Sequence, residues 1–150
     1  MKKFSKGFTL IEMLIVITII ALLASLILVG MGGARAKTRD ARRIADLHNV
    51  MNGLELYYSK AGAYPEGTYS SGATSWKDFK EILTLAEIGV TRMPQDPLNN
   101  TDYYYQYGGT TTDYVLGALL EQDDAALDDG IDKNLYGIDC AADLVYCIRP

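Results

Sequence analysis

One carboxylate, Glu12, stands near the start of an apolar run from Phe8 to Met31, and no charged side chain follows it from Met13 through Ala34. A charge at the centre of a membrane-spanning helix costs on the order of 2.5–3.5 kcal/mol, and less near an end. Such a residue is a candidate functional group, and it calls for a cationic partner. A basic leader, Met1 to Gly7, precedes it with Lys2, Lys3 and Lys6. A secretory signal carries its small-residue cleavage site after the apolar core. Here Gly7 lies before that core, so a cut after Gly7 would remove the leader and keep the helix. Two further clusters could do chemistry. Asp123, Asp124, Asp128, Asp129 and Asp132 crowd the stretch Gln122 to Gly137. Dense oxygen donors suit calcium, though the spacing is not that of an EF-hand, and a solvated acidic loop accounts for the same residues. Cys140 and Cys147 suggest one disulfide in an exported chain, because two cysteines cannot complete a four-ligand zinc site; free buried thiols are the other reading. There is no nucleophile elbow, phosphate loop, zinc ligand set or glycine-rich dinucleotide turn, and one histidine, His48, has no ligand cluster. These absences argue against an enzyme.

Lys6-Gly7 followed by Phe8-Thr9-Leu10-Ile11-Glu12 resembles the type IV prepilin class, which includes type IV pilins and the pseudopilins of type II secretion. An uncleaved signal anchor with a chance Glu is the competing reading. The resemblance implies a prepilin peptidase that cuts between Gly7 and Phe8, and N-methylation of Phe8. It also implies a partner for Glu12: the N-terminal amine of a neighbouring subunit, with which the acid pairs as subunits assemble. A carboxylate and an ammonium attract strongly in low dielectric, and either one left unpaired there is penalised.

The elements that position these groups follow from pattern. Met13 to Met31 would span about 28 Å as a helix, close to the ~30 Å of a bilayer's hydrocarbon core. Thr18 and Ser25 can bond back to the helix. Gly30, Gly32 and Gly33 are candidates for loosening it, since the proline common in this part of the resembled family is absent. Ile44, Leu47, Met51, Leu54 and Tyr58 share one helical face, and Gly62 and Pro65 mark its end. A helix from Phe8 to Ala61 would be roughly 80 Å long, apolar all round at first and amphipathic later. Arg35, Lys37, Arg39, Arg42 and Arg43 read as lipid-headgroup contacts, or as partners of acidic heads on neighbouring subunits. A plain count of these charges would leave the C-terminal part in the cytoplasm; the resemblance and the paired cysteines place it outside.

Beyond the helix, Ala63 to Ser75 reads as a loop, and Ser75-Trp76-Lys77-Asp78 as a cap opening a short helix that Gly89 stops. Pro94 and Pro97 bracket Gln95-Asp96 in a rigid extended turn. Tyr103 to Tyr107 and Tyr114 to Leu120 read as a hairpin with a loop longer than two residues. Its tyrosines are cross-strand packing partners, or an adhesive or electron-conducting surface. The order of long helix, Tyr64-Pro65, short helix, Pro94-Gln95-Asp96-Pro97 and tyrosine-rich hairpin resembles the major pseudopilin and related pilins. That family binds calcium in a C-terminal loop.

The expected fold is therefore α+β and type IV pilin-like, a long N-terminal helix packed on a small antiparallel sheet. The expected parts are a cleaved leader (1–7), a transmembrane assembly helix (8–34), an amphipathic continuation (35–62) and a head with a C-terminal disulfide loop (63–150). Net charge is -5, becoming about -8 without the leader lysines. Residues 61–150 hold fifteen acidic and five basic side chains, which would repel nucleic acid. The expected role is a structural subunit of a helical homo-oligomeric filament, held in membrane lipid before assembly. An assembly ATPase and an inner-membrane platform are implied by the resemblance. The destination is an extracellular pilus or a periplasm-spanning pseudopilus of type II secretion. A membrane-anchored calcium-binding module is the reading from another class.

Overall fold

The structure is a computed structural model that describes residues 7–69, 72–128 and 130–150; the side chains of 26–31 and 72–75 lie outside the described set. The leader residues 1–6 and the candidate ligand Asp129 therefore fall outside the described residues. Two compact units divide the chain, Met1–Arg35 and Ala36–Pro150.

The first unit is the opening part of α1, which runs Leu10–Ala61. Thr18 Oγ1 and Ser25 Oγ each donate at 2.7 Å to a carbonyl three residues back, so neither hydroxyl is left open in the apolar run. The expected loosening is not seen: helix assignment continues through Gly30, Gly32 and Gly33. Each glycine costs about 1 kcal/mol relative to alanine in a helix, and Gly30 with the adjacent Gly32 and Gly33 does not break a helix of 52 residues.

The second unit packs the rest of α1 and a short helix, α2 (Gly72–Leu85), on a four-stranded antiparallel sheet. Its strands are β1 (Gly67–Tyr69), β2 (Tyr105–Gly109), β3 (Tyr114–Leu119) and β6 (Val145–Ile148), paired in that order. A two-stranded ribbon, β4 (Asn134–Leu135) with β5 (Ile138–Asp139), lies between β3 and β6 in the chain. This architecture is the α+β, pilin-like arrangement that the sequence suggests.

Side chains alternate across a strand, and β3 uses both of its faces. Tyr114, Leu116 and Ala118 join Leu47, Val50 and Leu54 of α1, Trp76, Phe79 and Leu83 of α2, and Tyr105 and Tyr107 of β2 in the main core. Val115 joins Ile138, Cys140 and Cys147 in a second cluster on the other side. The tyrosines of the hairpin are thus core residues: Tyr107 stacks on Phe79 at 4.2 Å between ring centroids, and Tyr105 meets Trp76 edge-on at 5.7 Å. A Cβ on Gly108 would come within 2.6 Å of the Tyr136 carbonyl oxygen, so the ribbon turn can cross β2 only over a glycine.

Several boundaries differ from expectation. Ala63 to Ser75 is not all loop, since it contains β1 and the start of α2. Because α2 opens at Gly72, Ser75 lies inside the helix and is not its cap. The helix ends at Leu85, ahead of Gly89, where Glu87 already takes a left-handed φ of 51°. The first hairpin strand begins at Tyr105, two residues late. Asn100 Oδ1 accepts from the amides of Asp102 and Tyr103 at 3.0 and 2.9 Å, and this local turn competes with the strand.

Candidate functional site

Thr9 and Glu12 close the start of α1 on each other. The Thr9 N–H donates to Glu12 Oε2 at 2.8 Å, its hydroxyl donates to the same oxygen at 2.6 Å, and the Glu12 N–H donates back to Thr9 Oγ1 at 3.3 Å. This is a capping box, which satisfies donors that a helix start leaves open. It holds the carboxylate in the first turn through one oxygen. Among the described residues Oε1 has no hydrogen-bond partner, so it remains available to a second cation. Around this carboxylate, every large apolar side chain from Phe8 to Leu23 is exposed, with Phe8 at 84%. A helix apolar on all sides requires cover from lipid or from other helices. Gly7 precedes the helix and is exposed, with no atom of the described residues within 4 Å of where a Cβ would stand.

A different ionic centre lies in the second unit. Arg43 is fully buried and meets three carboxylates: Asp96 at 2.6 and 3.0 Å, Asp40 at 2.7 Å and Glu121 at 2.7 Å. Its guanidinium also lies 4.6 Å from the Tyr103 ring centroid. Arg39 adds a bidentate pair with Glu121. The carboxylates are themselves tied to backbone: Asp40 accepts from the amides of Glu121 and Gln122, and Asp96 from those of Leu98 and Asn99. Burial opposes the Arg43 charge, but the hydrogen bonds to Asp96, Glu121 and Asp40 outweigh it and raise its pKa. The Arg39 hydrogen bond, with those of Arg43, holds the Glu121 carboxyl down to about 2 against its partial burial.

The family model for the prokaryotic N-terminal methylation motif matches residues 2–28. Type II secretion system core protein G of Vibrio cholerae is 32% identical over 124 residues, 79% of this chain and 85% of that protein. This chain belongs to the family of type IV pilins and pseudopilins. The Escherichia coli protein of the same name is 33% identical over 103 residues, 65% of this chain and 69% of its own length. Type IV major pilin protein PilE1 of Neisseria gonorrhoeae is 33% identical over 106 residues, 67% of this chain and 64% of its own. No solved structure matches.

In this pilin-family chain the basic residues after the apolar run are not simply a lipid-facing cluster. Arg43 and Arg39 are bound within the chain, and Arg42 pairs with Asp46 at 3.5 Å. Arg35 and Lys37 are exposed. Helix spacing decides the split, because position 43 lies on the core-facing side with Leu47, Val50 and Leu54. Among the described residues no helix is long and apolar enough to cross a membrane; the expected span Met13 to Met31 includes 26–31, whose side chains are outside the described set.

Cys140 and Cys147 form a disulfide with Cα atoms 5.8 Å apart. Asp123 and Asp132 line a hollow of about 240 Å³ beside the loop Cys140–Val145. Asp124 is occupied as a cap, accepting from the Ala126 N–H at 3.0 Å at the start of the 3-10 turn Ala125–Leu127. Asp128 is exposed at the end of that turn. Among the described residues no three His, Cys, Asp or Glu side chains are placed to hold a metal ion together. His48 Nε2 lies 3.4 Å from the Tyr146 hydroxyl.

Sequence reading missed two features. Thr9 carries the threonine of a T-x-x-E capping box, a signal present in the sequence. The Arg43 centre joins residues 53 and 78 positions apart, and only the i, i+3 pair Asp40–Arg43 was visible locally.

Proposed function

We propose that this chain is a structural subunit of a type IV pilus-like helical filament and not an enzyme. A prepilin peptidase cuts after Gly7, Phe8 becomes the methylated N-terminus, and the apolar part of α1 sits in the inner membrane until assembly. Assembly then moves that helix from lipid to the company of other copies, served by an ATPase and a membrane platform. The observation that carries this reading is the unpartnered apolar helix from Phe8 to Leu23 with one carboxylate in its first turn. Lipid and neighbouring helices are both suitable cover, so the same surface serves before and after assembly. The open Oε1 of Glu12 is where the amine of a neighbour's Phe8 would bind, while Oε2 stays in the capping box.

A second reading places the filament in the periplasm as the pseudopilus of type II secretion. It is favoured by relatives named Type II secretion system core protein G, whose alignment extends over 79% of this chain in the Vibrio cholerae case. Mass spectrometry of material sheared from native cells separates the two. A chain beginning at methylated Phe8 in the sheared fraction supports a surface pilus. The same chain confined to the membrane and periplasmic fraction supports the pseudopilus. An intact Met1 terminus overturns both.

A further inference from the structure

The second unit is acidic, yet one open hollow of about 650 Å³ is basic. Arg42 and Asn49 of α1, Lys80 of α2, and the segment Arg92–Gln95 line it, with no carboxylate among them. Residues 61–150 have only five basic side chains, and Lys80 and Arg92 are two of these. Among the described residues neither has an ion-pair partner, and the Arg42–Asp46 pair is long, at 3.5 Å, with the Arg42 side chain exposed. Three like charges around one hollow repel each other unless an anion enters.

The same chain has matching anions elsewhere. Residues 122–143 carry seven aspartates and one lysine. Asp123, Asp128 and Asp132 are exposed, and none forms an ion pair among the described residues. Helix spacing places the two surfaces apart. At about 100° per residue, Arg42, Asn49 and Gly53 share one flank of α1. His48 and Met51 lie on the opposite flank, where they line a hollow with Ile131 and Cys147–Arg149; Asp132 follows Ile131 in the chain and lines a further hollow with Asp123. The core-facing residues Leu47, Val50 and Leu54 lie between these flanks. A positive groove on one flank and a negative surface on the other cannot satisfy each other within one copy. Between copies they make a heterologous contact, the type that propagates into an open helical assembly.

We propose that the groove formed by Arg42, Lys80 and Arg92 receives Asp123, Asp128 and Asp132 of the next copy, and that this contact sets the register between heads in the filament. The proposal rests on the filament reading above and adds the head surfaces that meet. Complementary charge fixes register and partner choice more than raw affinity, and the contact weakens as salt rises.

The test uses the full chain in its native host with two cross-linking reporters. One reporter carries two cysteines in every copy, Gln95→Cys beside the groove and Ala125→Cys beside the aspartates, both at exposed positions. The second places a single cysteine in the apolar helix, Ile17→Cys. The expected result is a ladder of cross-linked oligomers from the head pair and a cross-linked dimer from the helix, because one cysteine per chain joins only two copies. Lys80→Glu with Arg92→Glu should reduce the head ladder at least tenfold. Adding Asp123→Lys and Asp132→Lys in the same chain should restore at least half of it, while head melting stays unchanged throughout. A helix dimer without a head ladder overturns the head contact and leaves the filament standing. Loss of both cross-linked products in the unreversed chain overturns the filament reading and the contact with it. A head ladder that ignores the reversal, or that the compensating lysines fail to restore, shows that these charges do not form the contact.

Discussion

The two parts of α1 obey different rules within one unbroken helix. From Phe8 to Leu23 its large side chains are all apolar and all exposed, and its single charge is held only by its own first turn. From Ala36 onward it buries Leu47, Val50 and Leu54 in the core and sinks a charge, Arg43, with full ionic compensation. The second part is satisfied by its own chain. The first is complete only with material from outside. A helix built this way separates folding from assembly: the head can reach its native packing while the N-terminal surface stays available for lipid or for copies of itself.

The comparison breaks most readily at Arg43. Arg43→Ala would leave Asp40, Asp96 and Glu121 facing one another without their shared cation. Removing one partner from a buried ionic group costs about 3–5 kcal/mol, so the urea midpoint of the full chain in detergent should fall by a large part of its range. Asp40→Asn, Asp96→Asn and Glu121→Gln combined with Arg43→Met should recover much of this loss. An amide oxygen at position 96 can still accept from Leu98 and Asn99, which share Asp96 Oδ1, whereas one at position 40 can replace only one of the two Asp40 oxygens that accept from Glu121 and Gln122, so recovery should be incomplete. If Arg43→Ala melts like wild type, the second part of α1 is held by apolar packing alone.

Acid should reach the same centre more gently. Glu121 normally titrates near 4.5 and is held down to about 2 in the fold. Its pairing therefore contributes fully above pH 4.5, and the contribution is lost as pH falls from there toward 2. A charge-assisted bond of this type is worth about 1.5–3 kcal/mol. Unfolding midpoints measured between pH 6 and pH 2.5 should decline in this window, and Glu121→Gln should flatten that decline. An unchanged decline in Glu121→Gln would assign the acid sensitivity to other carboxylates.

The reach of sequence reading follows the same division. The N-terminal region was legible because its information is local: Gly7, Phe8 and Glu12 lie within six positions, and apolar character needs no partner to be recognised. The hairpin tyrosines were legible as strands, and the structure makes them core. The Arg43 centre was not legible, because its spacing reads equally well as an exposed basic stripe until Asp96 and Glu121 are folded onto it. Asp96 sits between prolines as a turn residue should, and nothing local says that its carboxylate is buried. The cationic groove was hidden for the same reason, since Arg42, Lys80 and Arg92 come from three separate segments.

The smallest expected effect is the sharpest test of the division. Ile17 is exposed in the first part of α1, and Leu47 is fully buried in the second. Leu47→Ala removes packed atoms and leaves a cavity, at about 2–5 kcal/mol. Ile17 belongs to the first compact unit, so after Ile17→Ala head unfolding should shift by no more than about 0.5 kcal/mol. A larger shift would mean that the apolar part of α1 packs on its own chain, and the separation of folding from assembly would fail. With head stability unchanged, a loss of assembled material in Ile17→Ala cells would point to the face on which this exposed side chain meets lipid or another copy.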